Sequence, residues 1–255
     1  SSKAKVVTAI AVFYDLDDPT NFFEEVRGIL HEEGIFILEQ SYLPLMLQNL
    51  AYDTVCHEHA AYYRMKQIKW LADRTGLKII HAEKNWINGG SFQVVLAKKE
   101  AKFSEDREVV REFLMVEAEM SLDDLVPYQS FRKKIFDHRN ALIRTLADLR
   151  AEGLRIFGYG ASTKGNVLLQ FCGLTSEDIP YVADINEDKW GRFCPGTLIP
   201  IISEEEAISK KPDVFLALPW HFKDEFLAKE GKILKRGGKF LFPLPKIALA
   251  GMGGY

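Results

Sequence analysis

The chain has 255 residues, 47% of them hydrophobic and 27% charged, with a formal net charge of -3. That balance excludes a disordered segment and a membrane protein, and it suits one large or two modest soluble domains in which an α/β core can form. Lys and Arg are scattered and give no basic field, so nucleic acid is not an expected partner. Three widely spaced cysteines, Cys56, Cys172 and Cys194, form no Cys-x-x-Cys pair. They point away from a disulfide framework or a zinc ribbon, and a reducing cytoplasm is the expected compartment. No apolar run approaches the ~20 residues that span a bilayer, so no membrane partner is expected either.

Residues 6–13 (VVTAIAVF) predict a core parallel strand that begins almost at residue 1. A lone central strand cannot hide both faces, so this region is expected to be the second half of a larger α/β domain. Asp17-Asp18-Pro19 predicts a helix start, with the helix running to about residue 30. After Gly34, the continuous apolar run 35–38 reads as a buried strand ending at Glu39-Gln40. Active sites of open α/β sheets lie beyond the carboxyl ends of such strands, which makes residues 41–63 a loop over a pocket.

That loop carries Cys56-His57-Glu58-His59, then Tyr62 and Tyr63. An imidazole can take or give a proton near neutral pH, and an adjacent carboxylate can orient it or hold its charged form. His59 is the candidate general base and Glu58 its partner. A solvated covering loop is the plain alternative. The two histidines stand two apart, not four, and no third ligand is near, so no metal is expected.

A helix is predicted over 64–75, stopped by Gly76, followed by strands over 77–82 and 91–97 joined through Asn88-Gly89-Gly90. Residues 103–152 carry helix-period apolar positions with one break near Pro127 and read as connecting helices.

The second chemical feature is the run 154–165 (LRIFGYGASTKG), a strand, a glycine-rich turn and a helix start. Glycines allow close backbone approach, and amides at a helix start form an anion site that Lys164 strengthens. The run reads as a phosphate cradle built from Gly158, Tyr159, Gly160, Ala161 and Ser162. It is not a Walker loop and is only a partial dinucleotide fingerprint. Asp184 ends the strand-like run 181–183, where dinucleotide folds place an acid for a ribose hydroxyl; alone it points to a nicotinamide enzyme. Further strands are expected at 214–218 and 239–242. The expected organisation is α/β throughout: 1–102, the latter half of one domain; 103–152, a helical connector; 153–255, a second, doubly wound Rossmann-like domain. The end, Gly251-Met252-Gly253-Gly254, is flexible in composition.

Several segments together resemble the sugar C-methyltransferases, which use S-adenosylmethionine to methylate a carbon of nucleotide-linked keto-sugars. They are Tyr52-Asp53-Thr54 through Tyr63, Asn88-Gly89-Gly90-Ser91, Gly158 through Asn166, Cys194-Pro195-Gly196-Thr197-Leu198-Ile199-Pro200-Ile201, Lys211-Pro212-Asp213 and Leu218-Pro219-Trp220. The resemblance implies a zinc-binding region, a Rossmann-like methyltransferase domain and a C-terminal α/β domain, with this chain starting at about the fourth strand of the methyltransferase sheet. Most of the cofactor site is then expected outside it, and this chain alone is expected to be inactive. The resemblance also implies that Glu58 and His59 are the acid–base pair, and that His59 removes a proton beside the sugar ketone. By the same likeness the cradle, with Asn88 and Trp220, holds a sugar nucleotide rather than a nicotinamide.

The sequence departs from that family in two places. Cys56 stands where many members have a tyrosine, and Asp15 where they have a histidine. A thiol cannot donate to an enolate as a phenol can, which leaves methylation at oxygen open; Asp15 keeps a polar group at the strand end. The alternatives are an NAD(P)-dependent oxidoreductase, which leaves the His-Glu-His loop unexplained, and a non-catalytic sugar-nucleotide-binding module.

Overall fold

The computed structural model describes residues 3–229 and 238–251, so the glycine-rich end from Met252 onward lies outside the described residues. The chain divides into two compact α/β units, Ser1–Asn49 with His57–Phe131 and Leu50–Cys56 with Arg132–Tyr255.

The first unit holds β1 (Ala4–Ile10), α1 (Pro19–Ile29), β2 (Leu30–Ser41), α2 (Leu43–Gln48), α3 (Met65–Thr75), β3 (Leu77–Asn85), β4 (Ser91–Lys98) and α4 (Arg107–Glu119). Its sheet runs β1-β2-β4-β3, with β1 parallel to β2 and the other pairs antiparallel. The Asp18 side chain accepts from Asn21 N at 2.9 Å and Pro19 opens α1, which satisfies the first turn of that helix. Gly76, at φ 75°, closes α3 in the left-handed form that glycine adopts without strain. The core forms on one sheet face from Phe36, Leu38, Phe92, Val94 and Leu96 against Phe13, Phe23 and Ile68.

Three details differ from the sequence reading. β1 ends at Ile10, because Ala11 turns to φ 55° and the chain enters a 3-10 turn over Phe13–Asp15. β2 begins at Leu30, before Gly34: a Cβ at Gly34 would lie 2.8 Å from the Ala4 carbonyl, so glycine here permits close strand approach rather than a turn. The region 41–63 is not all loop, since it contains α2 and a 3-10 turn at Tyr52–Thr54.

Residues 120–125 separate α4 from α5 (Val126–Ala151). Pro127 therefore lies just inside the start of α5, where its missing N–H costs nothing, and is not itself the break.

The second unit carries β5 (Ile156–Tyr159), α6 (Thr163–Cys172), β6 (Val182–Asp184), β7 (Ile201–Ser203), α7 (Glu204–Ser209), β8 (Val214–Ala217), α8 (Lys223–Lys229), β9 (Lys239–Phe242) and β10 (Ala248–Ala250). Its sheet order is β10-β9-β8-β5-β6-β7, parallel except for β10, so the order reverses between β5 and β8. The sequence reading did not include β7 and β10, each three residues long. The turn Tyr52–Thr54 belongs to this unit and packs on α6.

A candidate acid–base loop and a candidate ligand cavity

In the first unit, β1 and β2 run parallel and finish at the same end of the sheet, where Ile10 pairs with Glu39. The 3-10 turn after β1 brings Tyr14 there, and the 57–63 loop is pinned to it: Ala61 N donates to the Tyr14 carbonyl at 3.2 Å. The His59 ring packs on Tyr14 with centroids 4.2 Å apart and meets Tyr62 edge-on at 6.3 Å. His59 is half-buried, whereas His57, Glu58 and Asp15 are exposed. Asn88 lies on the Ile87–Gly89 turn leading into β4, whose first residue pairs with the last of β2, which places it at the same end. The aromatic seat of His59 was not foreseen. Neither was Gln40, 1% exposed on the core face opposite Phe92, whose amide oxygen and nitrogen both lack a hydrogen-bond partner. Such an amide offers one acceptor and one donor group to a ligand or to water.

In the second unit a cavity of about 460 Å³ opens at the carboxyl ends of β5, β6 and β8. Tyr159, Gly160, Ala161, Ser162 and Asp184 line it, together with Asn186, Lys189, Pro219 and the rings of Phe222 and Phe226. The glycines are required by packing. A Cβ on Gly158 would lie 2.8 Å from the Val182 side chain, and one on Gly160, at φ 85°, would lie 2.6 Å from Pro219. Ser162 caps α6 by accepting from Gly165 N at 3.0 Å. Asp184 faces the glycine-rich turn: Oδ2 accepts from Ala161 N at 2.8 Å and Lys189 Nζ at 3.1 Å, and Oδ1 from Asn186 N at 2.8 Å. Lys189 also donates to the Ala161 carbonyl at 2.8 Å, so this pair fixes the floor of the cavity.

Lys164 and Trp220 are not among the residues that line the cavity. Trp220 meets Asp53 instead, and the charges of Lys164 and Asp53 act on one another. Trp220 Nε1 donates to Asp53 Oδ2 at 2.7 Å, and Asp53 is 1% exposed. Burial holds the Lys164 ammonium below its ordinary pKa, opposed by the negative charge of Asp53 and by Cys56. Burial raises the Asp53 carboxyl, while Lys164 and the Trp220 bond pull it back. His221 is driven down to about 4, first by burial and then by the charge of Lys164. Asp53 was missed as a site residue because a single Asp in a loop carries no pattern of its own.

Among the described residues no group of three or more potential metal ligands occurs, and no helix is long and apolar enough to cross a membrane.

Residues 86–245 match a family described as the C-methyltransferase C-terminal domain, and residues 1–82 match a methyltransferase domain. The chain belongs to the C-methyltransferase family. A relative from Streptomyces niveus, the C-methyltransferase NovU, is 32% identical over 243 residues, covering 95% of this chain and 58% of the relative. The chain thus spans less than two thirds of the length of that C-methyltransferase. In the language of this family the two matches meet in the β3–β4 hairpin, inside the first unit.

Proposed function

We propose that the protein transfers a methyl group from S-adenosylmethionine to a nucleotide-linked sugar, at the carbon beside a keto group, with His59 as base. The observation that carries this reading is the seat of His59 in a C-methyltransferase chain: half-buried on Tyr14, at the end of the sheet where β1 and β2 finish. The cofactor supplies an electrophilic methyl group on sulfur. The orphaned amide of Gln40 at the same strand ends fits a polar group of that cofactor, with its oxygen taking an N–H or O–H and its nitrogen giving one.

His59 takes the proton from the carbon next to the ketone, and the carbon's electron pair passes into the enolate. The imidazolium that forms is held by the adjacent carboxylate of Glu58 and by the face of Tyr14. Asp15 and Asn88 are the further polar groups we assign to this end of the sheet, and Cys56 is a candidate from the sequence alone.

In the second unit we read a Rossmann-like domain that binds the sugar nucleotide in the 460 Å³ cavity. Gly160, Ala161 and Ser162 line the cavity with backbone N–H groups already bonded within the protein, the rings of Phe222 and Phe226 supply apolar surface, and Lys189, paired with Asp184, is the cation at the wall. Lys164, outside this lining, adds its positive charge. The same strand order also suits a nicotinamide dinucleotide. Against that stands Asp184, whose two oxygens are already engaged by Ala161, Asn186 and Lys189.

Calorimetry on this chain with nucleoside-diphosphate sugars, NAD and NADP tests the second unit, and mass-spectrometric detection of methylated sugar tests the whole protein. Binding of a nicotinamide dinucleotide in place of the sugar nucleotide would overturn the reading.

A further inference from the structure

The groups that line the cavity of the second unit suit the two ends of a nucleotide unequally. A diphosphate needs uncommitted cations or N–H groups, because its charge must be met where water is displaced. The lining is poor in both. Gly160 N donates to the Ala183 carbonyl at 2.7 Å, Ala161 N to Asp184 at 2.8 Å and Ser162 N to the Gly160 carbonyl at 2.9 Å. Lys189, the one cation among the described lining residues, is already paired with Asp184 and bonded to the Ala161 carbonyl, and Glu225 brings a second carboxylate to the wall.

Apolar surface is offered instead. Ile185 and Phe222 both line the cavity and are 77% and 42% exposed. Ile185 follows the last residue of β6, Phe222 ends the turn after β8, and these strands flank β5, so the two side chains come from opposite sides of the glycine-rich turn. Strands two apart in a sheet lie ~10 Å from each other, and a flat ring with ~3.5 Å to a neighbour on each face takes about 7 Å.

Both walls are held from behind. Asp184 and Asn186, on either side of Ile185, are bonded to one another, and Trp190 Nε1 donates to the Asp184 carbonyl at 2.8 Å. The Phe222 ring packs on Phe226 with centroids 6.3 Å apart, and Phe226 is stacked on Phe240. Exposed apolar groups on a fixed frame in a concave site gain by shedding water against a flat, weakly hydrated ring. Asn186 lines the same cavity; its Oδ1 accepts from Asp188 N at 3.0 Å, which leaves Nδ2 to donate to an acceptor on the ring edge.

We propose that the cavity takes the nucleoside end of the sugar nucleotide, with the base lying flat between Ile185 and Phe222, and that the diphosphate lies outside it. The proposal rests on the reading of the second unit as the sugar-nucleotide domain.

Calorimetry on this chain with thymidine, uridine and guanosine, their diphosphates, and inorganic pyrophosphate tests it. The nucleoside that binds should do so within about tenfold of its diphosphate, with little dependence on salt and no competition from pyrophosphate. Phe222→Ala should weaken nucleoside and diphosphate alike by about 5- to 100-fold, the worth of a ring stacked on a base. Ile185→Ser, at a mostly exposed position that leaves the core intact, should weaken both by about tenfold.

A diphosphate that binds where its nucleoside does not, pyrophosphate that competes, or diphosphate affinity that both variants leave unchanged overturns the proposal and leaves the second unit a sugar-nucleotide domain. If no nucleoside diphosphate, with or without a sugar, binds the wild-type chain, that reading of the second unit fails and the proposal falls with it.

Discussion

Glu117 offers the clearest test of how the first unit holds the loop at residues 57–63. It comes from α4, is 3% exposed, and serves as the N-terminal cap of α3: Oε1 accepts from Met65 N at 2.6 Å and from the Tyr42 hydroxyl at 2.9 Å, and Oε2 from Lys66 N at 3.1 Å. α3 starts right after the loop, so this carboxylate fixes the loop's downstream end. Glu117→Ala leaves three donors without an acceptor. At ~1–3 kcal/mol for each buried donor, reduced where water enters the space vacated, the loss comes to about 4 kcal/mol. Glu117→Gln keeps an oxygen toward Met65 and Tyr42 but turns an amide nitrogen against Lys66 N, and is expected to cost ~1–2 kcal/mol. Urea unfolding followed through Trp70 and Trp86, both in the first unit, reads the effect. With a slope of about 2 kcal/mol per molar, the alanine variant should unfold at roughly 2 M lower urea. A shift below about 0.5 M for the alanine variant, or equal shifts for both variants, would refute the view that the carboxylate caps α3.

Three further outcomes are expected. His59→Asn in the whole protein should lower turnover by roughly 10²–10⁴ with sugar-nucleotide affinity intact, and Glu58→Gln should cost less; single-turnover rates at saturating substrate decide this. His221 has an ordinary pKa of 6.5 and is driven down to about 4, so the unfolded chain takes up its proton first. Its contribution to stability is therefore complete above pH 6.5 and is lost as pH falls toward 4, at up to ~1.4 kcal/mol per pH unit, and His221→Gln should flatten that slope in urea titrations. Gly160→Ala sets a Cβ 2.6 Å from Pro219 at φ 85°, and should destabilise the second unit by ~2–3 kcal/mol while weakening binding in the cavity by calorimetry.

Much of this was legible in the sequence because it is local. The caps at Asp18 and Gly76, the alternation in β3 and β4, and the glycine-rich turn after β5 each depend on residues within a few positions of one another, and propensity and period report such features directly. What only the tertiary structure decided are the pairings between residues far apart in the chain. Lys164 looks like a phosphate lysine in its glycine-rich run, yet it does not line the cavity, and its charge acts on Asp53, more than 100 positions earlier. Asp184 looks like a ribose acid, yet its oxygens hold the Ala161 and Asn186 amides. The physical reason is that a buried charge must find an opposite charge or a donor wherever the fold supplies one, and sequence spacing says nothing about which distant group that will be.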